Sequence, residues 1–475
     1  MMKLLFTFAL GLSFFVAPFL AQEEPYVPES DQLVLKKLED WNNRKFGLLM
    51  HWGPYSQWGI VESWSICSED VDWCRRPKGI SYVDYVKQYE QLPNTFNPIN
   101  FAPDKWARAA KDAGMEYVVF TTKHHDGFAM FDTKYSDYKI TAPNVPFHTN
   151  QKANIAKEIF SAFRSQGFLI GAYFSKPDWH NDDYWAPEWA TPDRNVNYDT
   201  RKYPERWQRF RDFTFNQINE LTTGYRLIDI LWLDGGWVRP GIPRDPTVGS
   251  GRVPWPQDID MPRIAAMARL NQPGIIIVDR DVHGRFEDYR TPEQKIPEKP
   301  LPYPWETCMT MATSWSYVPN DVYKPSGELI HTLVDIVAKG GNFLLNIGVS
   351  PKGEFAPDAY DRLRDIGEWM KVNSEAIYKT RPISPYNDGK LRFTSLKDGT
   401  IYAIYLADDN EQVPPAQIRL RGIPLQKGAR LTLLGMQEPL KWSAVGREIV
   451  IDIPESIRAH TAGKYAWTIK LSRGK

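Results

Sequence analysis

The sequence predicts an α/β fold, a (β/α)₈-like barrel of the TIM type followed by a C-terminal antiparallel β-sandwich. Short apolar runs alternate with amphipathic helical segments over most of the chain. Several of these runs are continuously apolar, which is typical of parallel strands buried on both faces. After about residue 380 the pattern changes to short strands separated by turn formers, which indicates a second, all-β domain.

The barrel strands are predicted from apolar runs, and the helices between them from start and stop signals. One helix, for example, follows Pro103 and ends before Gly114. Repeated β–α units indicate a parallel sheet, either open or closed into a barrel. The predicted strands are Phe46–Met50, Tyr117–Thr121, Phe168–Phe174, Ile228–Leu233, Ile275–Val278 and Phe343–Ile347. The predicted helices are Asp104–Ala113, Ala153–Ser165, Pro204–Leu221, Gly327–Ala338 and Asp358–Lys379.

The predicted domains are a signal peptide at 1–21, a catalytic barrel at 22–380 and a β-sandwich at 381–475. We interpret the sandwich as a buttress for the barrel. Glycan binding is the alternative, but Trp442 and Trp467 are its only obvious aromatic candidates and either could belong to the core. Its predicted strands are Leu391–Ser395, Thr400–Leu406, Gln417–Arg421, Arg430–Leu434, Glu448–Ile453 and Tyr465–Leu471.

Composition excludes some classes of protein. Hydrophobic residues make up 42% and charged residues 24% of the 475 residues, which argues against a disordered or fibrous chain. Lys and Arg number 58, as do Asp and Glu, so the basic footprint of a nucleic-acid binder is absent. Aromatic residues reach 13%. They indicate either a large core or a carbohydrate site, because sugar rings present apolar C–H faces to aromatic rings.

The N-terminus has the pattern of a secretory signal peptide. Lys3 precedes the apolar run Leu4–Leu20, and Ala21 is followed by polar and acidic residues. A membrane anchor is the alternative, but the run is short for a span and contains Pro18. We therefore expect cleavage near Ala21, export to the periplasm or the extracellular space, and no membrane insertion after cleavage.

Three cysteines are too few for a disulfide scaffold. Cys67 and Cys74 could form a disulfide across a short loop in an exported protein, and the sequence leaves this open. Cys308 has no other cysteine near it in the sequence. Without a CxxC pair, a Cys/His metal cluster is not supported.

Polar, aromatic and titratable residues gather where five successive predicted strands end. In a (β/α)₈ barrel the active site lies at the C-terminal ends of the strands, so we expect the site there. These strand ends read His51-Trp52-Gly53, Lys123-His124-His125-Asp126-Gly127, Tyr173-Phe174-Ser175, Asp234-Gly235-Gly236-Trp237 and Asp279-Arg280-Asp281.

Three of the eight histidines fall in this set, and histidine is the commonest metal ligand. On a regular strand, however, the adjacent His124 and His125 would point to opposite faces. No carboxylate cluster accompanies them at a ligand-like spacing. We therefore expect no metal, although a bulge would bring both imidazoles to one side.

Asp234 is the most informative carboxylate, because it ends an apolar strand and precedes two glycines. Glycines allow a tight turn and close approach of a substrate. A helix N-cap is the alternative role. Glycoside cleavage would need a second carboxyl group, and sequence spacing does not rank the candidates. These are Glu287, Glu293, Glu298 and Glu306.

Four stretches, in order, resemble the α-L-fucosidases of glycoside hydrolase family 29 over about residues 40–380. The resemblance implies a retaining exo-hydrolase with a TIM-like barrel and a C-terminal β-sandwich, no cofactor, and a fucosylated oligosaccharide or glycoconjugate as substrate. The matching stretches are Phe46–Gly53, Thr122–Phe128, Leu231–Gly235 and Gly340–Asn346.

The resemblance also implies roles for individual residues. Asp234 matches the family's nucleophile. Glu293 matches the family's acid/base less closely, because the sequence of that motif varies within the family. Trp315 would lie under the methyl group of fucose, and the other matching residues would line the sugar pocket. The implied substrate-binding residues are His51, Glu62, Trp64, His124, His125, Tyr173, Trp232, Arg280 and Trp315.

Three rival functions remain at this point. The same fold could act on a related sugar such as an α-L-galactoside, which differs at C6. A catalytically silent fucose-binding protein is the second rival, and the presence of both Asp234 and Glu293 argues against it. The third is a metal-dependent barrel hydrolase.

Overall fold

The computed structural model describes residues 25–71, 74, 76–241, 253–423, 425, 428–461 and 463–472. The predicted signal peptide lies outside these residues. Seven parallel strands form the sheet of the catalytic domain. They are β1 (Phe46–His51), β2 (Tyr117–Lys123), β3 (Leu169–Ser175), β4 (Ile230–Asp234), β5 (Ile276–Asp279), β6 (Glu306–Thr310) and β7 (Asn342–Gly348).

Eight helices of the described chain accompany this sheet. The first begins after Asp31, whose Oδ1 accepts a hydrogen bond from the Leu33 backbone N–H at 2.8 Å and so caps the helix. The helices are α1 (Gln32–Arg44), α2 (Tyr82–Tyr89), α3 (Pro103–Asp112), α4 (Ile155–Ser165), α5 (Pro204–Gly224), α6 (Met261–Asn271), α7 (Ser326–Ala338) and α8 (Pro357–Asn373).

The strand order is β5-β4-β3-β2-β1-β7-β6. This curled parallel sheet confirms the predicted TIM-like barrel. Alternate strand residues separate into two apolar clusters. Inward residues such as Leu49, Val119 and Ile230 form the interior cluster, and outward ones such as Leu48 and Val118 pack with the helices. Helix α1 closes the N-terminal end, because its Trp41 belongs to the interior cluster.

An eighth strand does not follow β5. The segment 287–293 crosses the gap between β5 and β6 instead, with single bridges rather than a ladder. Glu287 bridges Val278 of β5, and Glu293 bridges Cys308 of β6. The Gln294 backbone N–H donates to the Cys308 carbonyl at 2.9 Å. One catalytic candidate, Glu293, therefore lies on this gap segment rather than on a strand.

Two antiparallel sheets form the C-terminal part, in the orders β12-β15-β10-β9-β8 and β11-β14-β13. Their facing side chains share one apolar cluster, which confirms the predicted sandwich. Its elements are β8 (Arg381–Asp388), β9 (Leu391–Ser395), β10 (Ile401–Leu406), β11 (Gln417–Arg421), β12 (Arg430–Leu433), β13 (Lys441–Val445), β14 (Glu448–Asp452), α9 (Glu455–Arg458) and β15 (Ala466–Ser472).

The sandwich packs on the last two helices of the barrel. The indole of Trp369 in α8 donates to the Ala466 carbonyl at 2.9 Å, and Arg392 of β9 pairs with Asp335 of α7 at 2.5 Å. Trp467 is buried in the sandwich core, and Trp442 packs against that core. Neither indole forms an exposed platform.

Cys67, Cys74 and Cys308 are free thiols, and the side chain of Cys67 interacts with that of Cys74. Among the described helices, none combines the length and the hydropathy needed to cross a bilayer.

Candidate active site

Asp234 ends β4 and points into the mouth of the barrel, where four groups surround its carboxylate. Its Oδ1 accepts hydrogen bonds from Arg280 Nη1 at 2.9 Å and from the Gly235 backbone N–H at 2.8 Å. Its Oδ2 accepts from the Tyr173 hydroxyl at 2.6 Å and lies 3.6 Å from His125 Nε2. Gly235 has a φ of +95°, which only glycine adopts without strain.

The surroundings of Asp234 keep it ionised. Burial alone would raise the pKa of this carboxyl group, since its side chain is only 14% exposed. Burial is the largest single influence, but the charge and hydrogen bond of Arg280, the charge of His125 and the hydrogen bond from the Tyr173 hydroxyl together outweigh it. Together they hold the pKa of Asp234 well below its ordinary value, so the group is a carboxylate at every physiological pH.

Arg280 joins two carboxylates. Its Nη1 contacts Asp234, and its Nη2 forms a hydrogen-bonded ion pair with Oε2 of Glu293 on the gap segment. The Glu293 side chain is 41% exposed, so this carboxyl group lies at the solvent side of the site. A single planar guanidinium thus spans the two groups that the sequence selected as a catalytic pair.

The other three candidate acids lie elsewhere. Glu287 pairs with His283 at 2.8 Å, and Glu298 is exposed on the gap side of the barrel surface. Glu306 is fully buried in the barrel interior, where it accepts hydrogen bonds from Tyr117 at 2.6 Å and Trp232 at 3.3 Å. Of the four, Glu293 is the one that shares Arg280 with Asp234.

His51 is oriented by Asn346 of β7. The Asn346 amide nitrogen donates to the Trp315 carbonyl at 2.7 Å, so its Oδ1 is the atom that faces His51 Nδ1, also at 2.7 Å. His51 Nδ1 therefore carries the proton and Nε2 is free to accept. The ring of Trp315 lies 5.2 Å from that of His51, so the same amide positions both predicted pocket residues.

His124 and His125 lie on the same side of the strand end, contrary to the expectation that they point to opposite faces. Strand β2 ends at Lys123 after an irregular register, so the alternation no longer applies. Their ring centroids are 4.4 Å apart, and His124 Nδ1 hydrogen-bonds the Ser63 hydroxyl. Burial lowers the pKa of His125 to about 4 and that of His51 to about 4, so both imidazoles are neutral at pH 7.

His124, His125 and Asp234 offer ligand atoms within 4.8 Å of one another, which a cation could use. The guanidinium of Arg280 already lies 2.9 Å from the same carboxylate. A divalent cation bound there would face that positive charge at close range, which opposes binding. We therefore interpret the three groups as hydrogen-bonding partners for a polar organic ligand.

Aromatic rings form the walls. Tyr173 stacks on Trp232 at 5.2 Å between centroids, and Arg280 lies over the Trp232 ring at 5.3 Å. On the opposite side the Trp64 ring contacts His125 at 5.5 Å and Trp237 at 5.8 Å. All eleven residues selected from the sequence are thus found around one mouth of the barrel or directly beneath it.

Three further residues of the site were not selected from the sequence. Trp237 packs against His125 at 5.2 Å, Ser63 contacts His124, and Asn346 orients His51. Trp237 belongs to one of the strand ends noted in the sequence and Asn346 to the last matching stretch, but neither was given a role there. Ser63 gave no signal, because it belongs to the 3₁₀ helix Ser63–Ile66.

Glu62 is a buried carboxyl group close to Asp234 and Glu293. Its side chain is almost fully inaccessible, and its Oε2 has no hydrogen-bond partner among the described residues. Burial raises the pKa of Glu62 to about 7, and the negative charges of Glu293 and Asp234 act in the same direction.

This raised pKa predicts a pH-dependent stability cost. Between pH 4.5 and about 7 the unfolded chain ionises at Glu62 while the folded chain keeps the proton, so stability falls as pH rises. At about 1.4 kcal/mol per pH unit, the full cost above pH 7 is about 3 kcal/mol. Glu62→Gln mimics the protonated acid. Its thermal midpoint should exceed that of the wild type by more at pH 8 than at pH 4.5.

The matched control for this comparison is Glu69→Gln, which changes an exposed carboxyl group on the same loop. The stability difference between Glu62→Gln and the wild type should change with pH by more than that of this control. A change no larger than the control's would show that Glu62 titrates normally in the folded protein.

A buried ion pair lies next to the strand end that carries Asp234, the candidate nucleophile. Lys176, after β3, and Asp279, at the end of β5, meet at 2.5 Å with both side chains inaccessible. The Lys176 backbone N–H also donates to the Asp234 carbonyl at 2.9 Å, and that of Arg280 donates to the Leu233 carbonyl at 3.1 Å. The end of β4 is therefore held on both sides.

Removal of one partner of this pair should be costly. Lys176→Met leaves the carboxylate of Asp279 buried and unpaired, so we expect a loss of about 3–5 kcal/mol in the free energy of unfolding. The double variant Lys176→Met/Asp279→Leu should recover most of it. Urea unfolding followed by tryptophan fluorescence measures both.

Lys397→Met is the control, because Lys397 pairs with Glu39 at 3.0 Å but is 78% exposed. It should lose less than about 1 kcal/mol. If Lys176→Met lost no more than this control, the buried pair would have no role in stability.

Two carboxyl groups at the mouth of a TIM-like barrel, one at a strand end and one on the gap segment, lie among neutral imidazoles and indoles and define a glycoside hydrolase. The family comparisons agree. Residues 15–375 match the Alpha-L-fucosidase family, and residues 386–472 match the Alpha-L-fucosidase C-terminal domain. The chain therefore belongs to the α-L-fucosidase family, which confirms the resemblance seen in the sequence.

Individual relatives cover nearly the whole chain. Human tissue α-L-fucosidase is 28% identical over 470 residues, which are 94% of this chain and 92% of that protein. α-L-Fucosidase isoenzyme 1 from Paenibacillus thiaminolyticus has a TM-score of 0.74 and 30% identity, over 93% of this chain and 99% of that chain.

A third relative is the GH29 α-L-fucosidase from Bacteroides thetaiotaomicron, solved as a trapped covalent intermediate with 2-fluoro-fucosyl fluoride. It has a TM-score of 0.71 and 23% identity, over 94% of this chain and 97% of that chain. This likeness establishes a shared fold.

Proposed function

We propose that this chain hydrolyses terminal α-L-fucosyl residues with retention, with Asp234 as the nucleophile and Glu293 as the acid and then the base. The observation that carries the proposal is the pair of carboxylates joined by Arg280, one held ionised inside the pocket and one at its solvent side. Retaining glycosidases need two such groups about 5–5.5 Å apart, a spacing that one bridging guanidinium accommodates.

In the first step, the carboxylate of Asp234 attacks the anomeric carbon of the fucosyl residue. The C–O bond to the leaving group breaks, and Glu293 gives its proton to the departing oxygen. A covalent fucosyl ester forms on Asp234. In the second step, Glu293 takes a proton from water, and the resulting nucleophile displaces Asp234 to release fucose in its original α configuration.

The ion pair between Arg280 and Glu293 belongs to the site without substrate. For Glu293 to donate a proton, its carboxyl group must separate from the guanidinium, and its 41% exposure on the gap segment leaves room for that movement. Arg280 then keeps its hydrogen bond to Asp234 and its longer contact with Asp281 at 3.8 Å. The trapped covalent intermediate of the Bacteroides relative supports a two-step route of this kind in the family.

The pocket fits a 6-deoxy sugar. Fucose has a methyl group at one end and hydroxyls elsewhere, so a matching site combines an apolar wall with hydrogen-bonding groups. We assign the methyl group to the ring of Trp315 and the hydroxyls to His51, His124, His125 and Glu62. Neutral imidazoles suit this role because each offers one donor and one acceptor.

Release of 4-nitrophenol from its α-L-fucoside by the purified protein tests the proposal. We expect turnover, with α-L-fucose as the first anomer seen by NMR, and much slower release from the α-L-galactoside. Detection of the β anomer as the first product would refute retention. Faster hydrolysis of the α-L-galactoside than of the fucoside would favour the related sugar as the substrate. Binding of fucose without turnover of the aryl fucoside or of fucosylated oligosaccharides would favour a silent binding protein.

The same assay separates the metal-dependent rival. Prior incubation with a chelator should leave the rate unchanged, because the proposed steps use side chains alone. Loss of activity that added metal restores would support the rival.

We propose further that the chain is exported. The support is the apolar run Leu4–Leu20 after Lys3, followed by the small residue Ala21. In a bacterial expression host the mature protein recovered outside the cytoplasm should begin at Gln22. Intact Met1 on protein found only inside the cell would contradict export.

A further inference from the structure

A second cleft opens on the same end of the barrel as the active site. Its volume is about 540 Å³, within the range of about 300–1,000 Å³ for sites that hold small molecules. Three loops form it: one after β1, one after β3 and one before α6. The residues that line it are Ser68, Glu69, Asp70, Thr191, Pro192, Asp193, Asn195, Val196, Asn197, Val253, Pro254 and Trp255.

The loops around this cleft are tied together. The Glu69 backbone N–H donates to the Pro192 carbonyl at 2.8 Å, which joins the first loop to the second. The guanidinium of Arg76 gathers the first loop by donating to five of its carbonyls, among them those of Ser68 at 2.8 Å and Val71 at 2.8 Å. In the second loop, the Asn195 backbone N–H donates to Asp193 Oδ1 at 2.8 Å. The walls are thus built in advance of any ligand.

The cleft adjoins the fucose pocket through one layer of side chains. A small cavity lies between the two, and Ser68 and Asn195 of the cleft line it together with Trp64. The ring of Trp64 in turn contacts His125, which lies beside Asp234. A ligand with its fucosyl end at Asp234 could therefore extend past Trp64 into the cleft.

The lining has the chemistry of a sugar site. Trp255 offers a half-buried indole face, and the carboxylate of Glu69 is an exposed acceptor for hydroxyl groups. Asn195 is only 6% exposed, yet its Oδ1 has no hydrogen-bond partner among the described residues, and neither has the Trp255 Nε1. Buried polar atoms are normally paired, so these two are candidates for hydrogen bonds to a ligand or to ordered water.

We propose that this cleft binds the non-fucosyl sugars of a fucosylated oligosaccharide, and so determines which glycans the enzyme prefers. One sugar ring stacks on Trp255, and its hydroxyl or acetamido groups pair with Asn195 and Glu69. The inference rests on the proposed function. It deepens that function by naming the substrate class as oligosaccharides long enough to reach from Asp234 to Trp255.

The test compares two substrate types in Trp255→Ala, Trp255→Phe and the wild type. One is 4-nitrophenyl α-L-fucoside, which has a single sugar ring and therefore no second sugar to place in the cleft. The other is a set of neutral fucosylated oligosaccharides of three to five sugars, carrying fucose in each common linkage. For the best oligosaccharide we expect kcat/KM to fall at least tenfold in Trp255→Ala and much less in Trp255→Phe. The aryl fucoside should change less than twofold in both.

Tyr135→Ala is the matched control, because Tyr135 is an exposed aromatic residue outside the cleft lining. It should leave both substrates unchanged. Equal losses on both substrates in Trp255→Ala would mean that Trp255 has only a structural role, and unchanged oligosaccharide kinetics would mean that the cleft binds no sugar. A wild type that cleaves the aryl fucoside but no oligosaccharide would also overturn the inference. Absence of aryl fucoside turnover would instead refute the proposed function.

Discussion

Asp234→Gly is expected to lower kcat on 4-nitrophenyl α-L-fucoside by at least about a thousandfold, because it removes the group that forms the covalent intermediate. The substitution leaves Arg280, Tyr173 and the three imidazoles in place, so the sugar should still bind. Added sodium azide should restore turnover, since the small anion enters the space of the missing carboxylate.

The product of this rescue identifies the face of attack. Azide that replaces Asp234 approaches from the same side as the carboxylate, so β-L-fucosyl azide should accumulate. Asp182→Gly serves as the control, because Asp182 is an exposed aspartate on the loop after β3. It should retain wild-type kcat and form no azide adduct. Formation of the α-azide by Asp234→Gly would show that another group is the nucleophile.

Glu293→Ala is expected to affect substrates according to their leaving groups. General acid catalysis contributes about 10²–10⁴-fold, and a poor leaving group such as a sugar hydroxyl needs it most. Methyl α-L-fucoside and oligosaccharides should therefore lose most of their kcat/KM. A 2,4-dinitrophenyl fucoside, whose oxygen leaves without a proton, should form the covalent intermediate at nearly the wild-type rate.

Glu298→Ala is the matched control for Glu293→Ala. Glu298 follows the same segment, its side chain is exposed, and its backbone carbonyl accepts a hydrogen bond from Tyr386 at 2.9 Å. It should not discriminate between leaving groups. Equal losses on both substrate types in Glu293→Ala would assign the acid role to Glu62 instead. Burial raises the pKa of Glu62 to about 7, and this carboxyl group is close to Asp234 and Glu293.

Strands that are apolar on both faces could be predicted from the sequence, and β1 to β5 and β7 were found within a few residues of their predicted ends. Strand β6 was missed, because it reads Glu306-Thr307-Cys308-Met309-Thr310 and lacks an apolar pattern. The partners that make Glu306 tolerable in the interior, Tyr117 and Trp232, come from other strands. No local pattern could reveal them. Helices α1, α2, α6 and α9 and strands β8 and β13 were also missed.

The two catalytic candidates also differed in how far the local sequence could identify them. Asp234 could be selected from its own neighbours, since a carboxylate between an apolar strand and two glycines is held at the barrel mouth. Glu293 could not, because its position depends on bridges to β6 rather than on a strand of its own. Only the family resemblance selected it. The rings of His124 and His125 share one side because β2 ends before them, which a strand-based argument does not foresee.

The gap segment has a consequence for how this active site can change. One carboxyl group is fixed by the sheet, whereas the other is carried by a connection that makes only isolated bridges. An insertion or deletion within 287–293 would therefore alter the separation of the two groups without disturbing a single strand ladder. Because that separation decides between retention and inversion, the proposed roles of Asp234 and Glu293 would make the stereochemical outcome depend on the length of one connector.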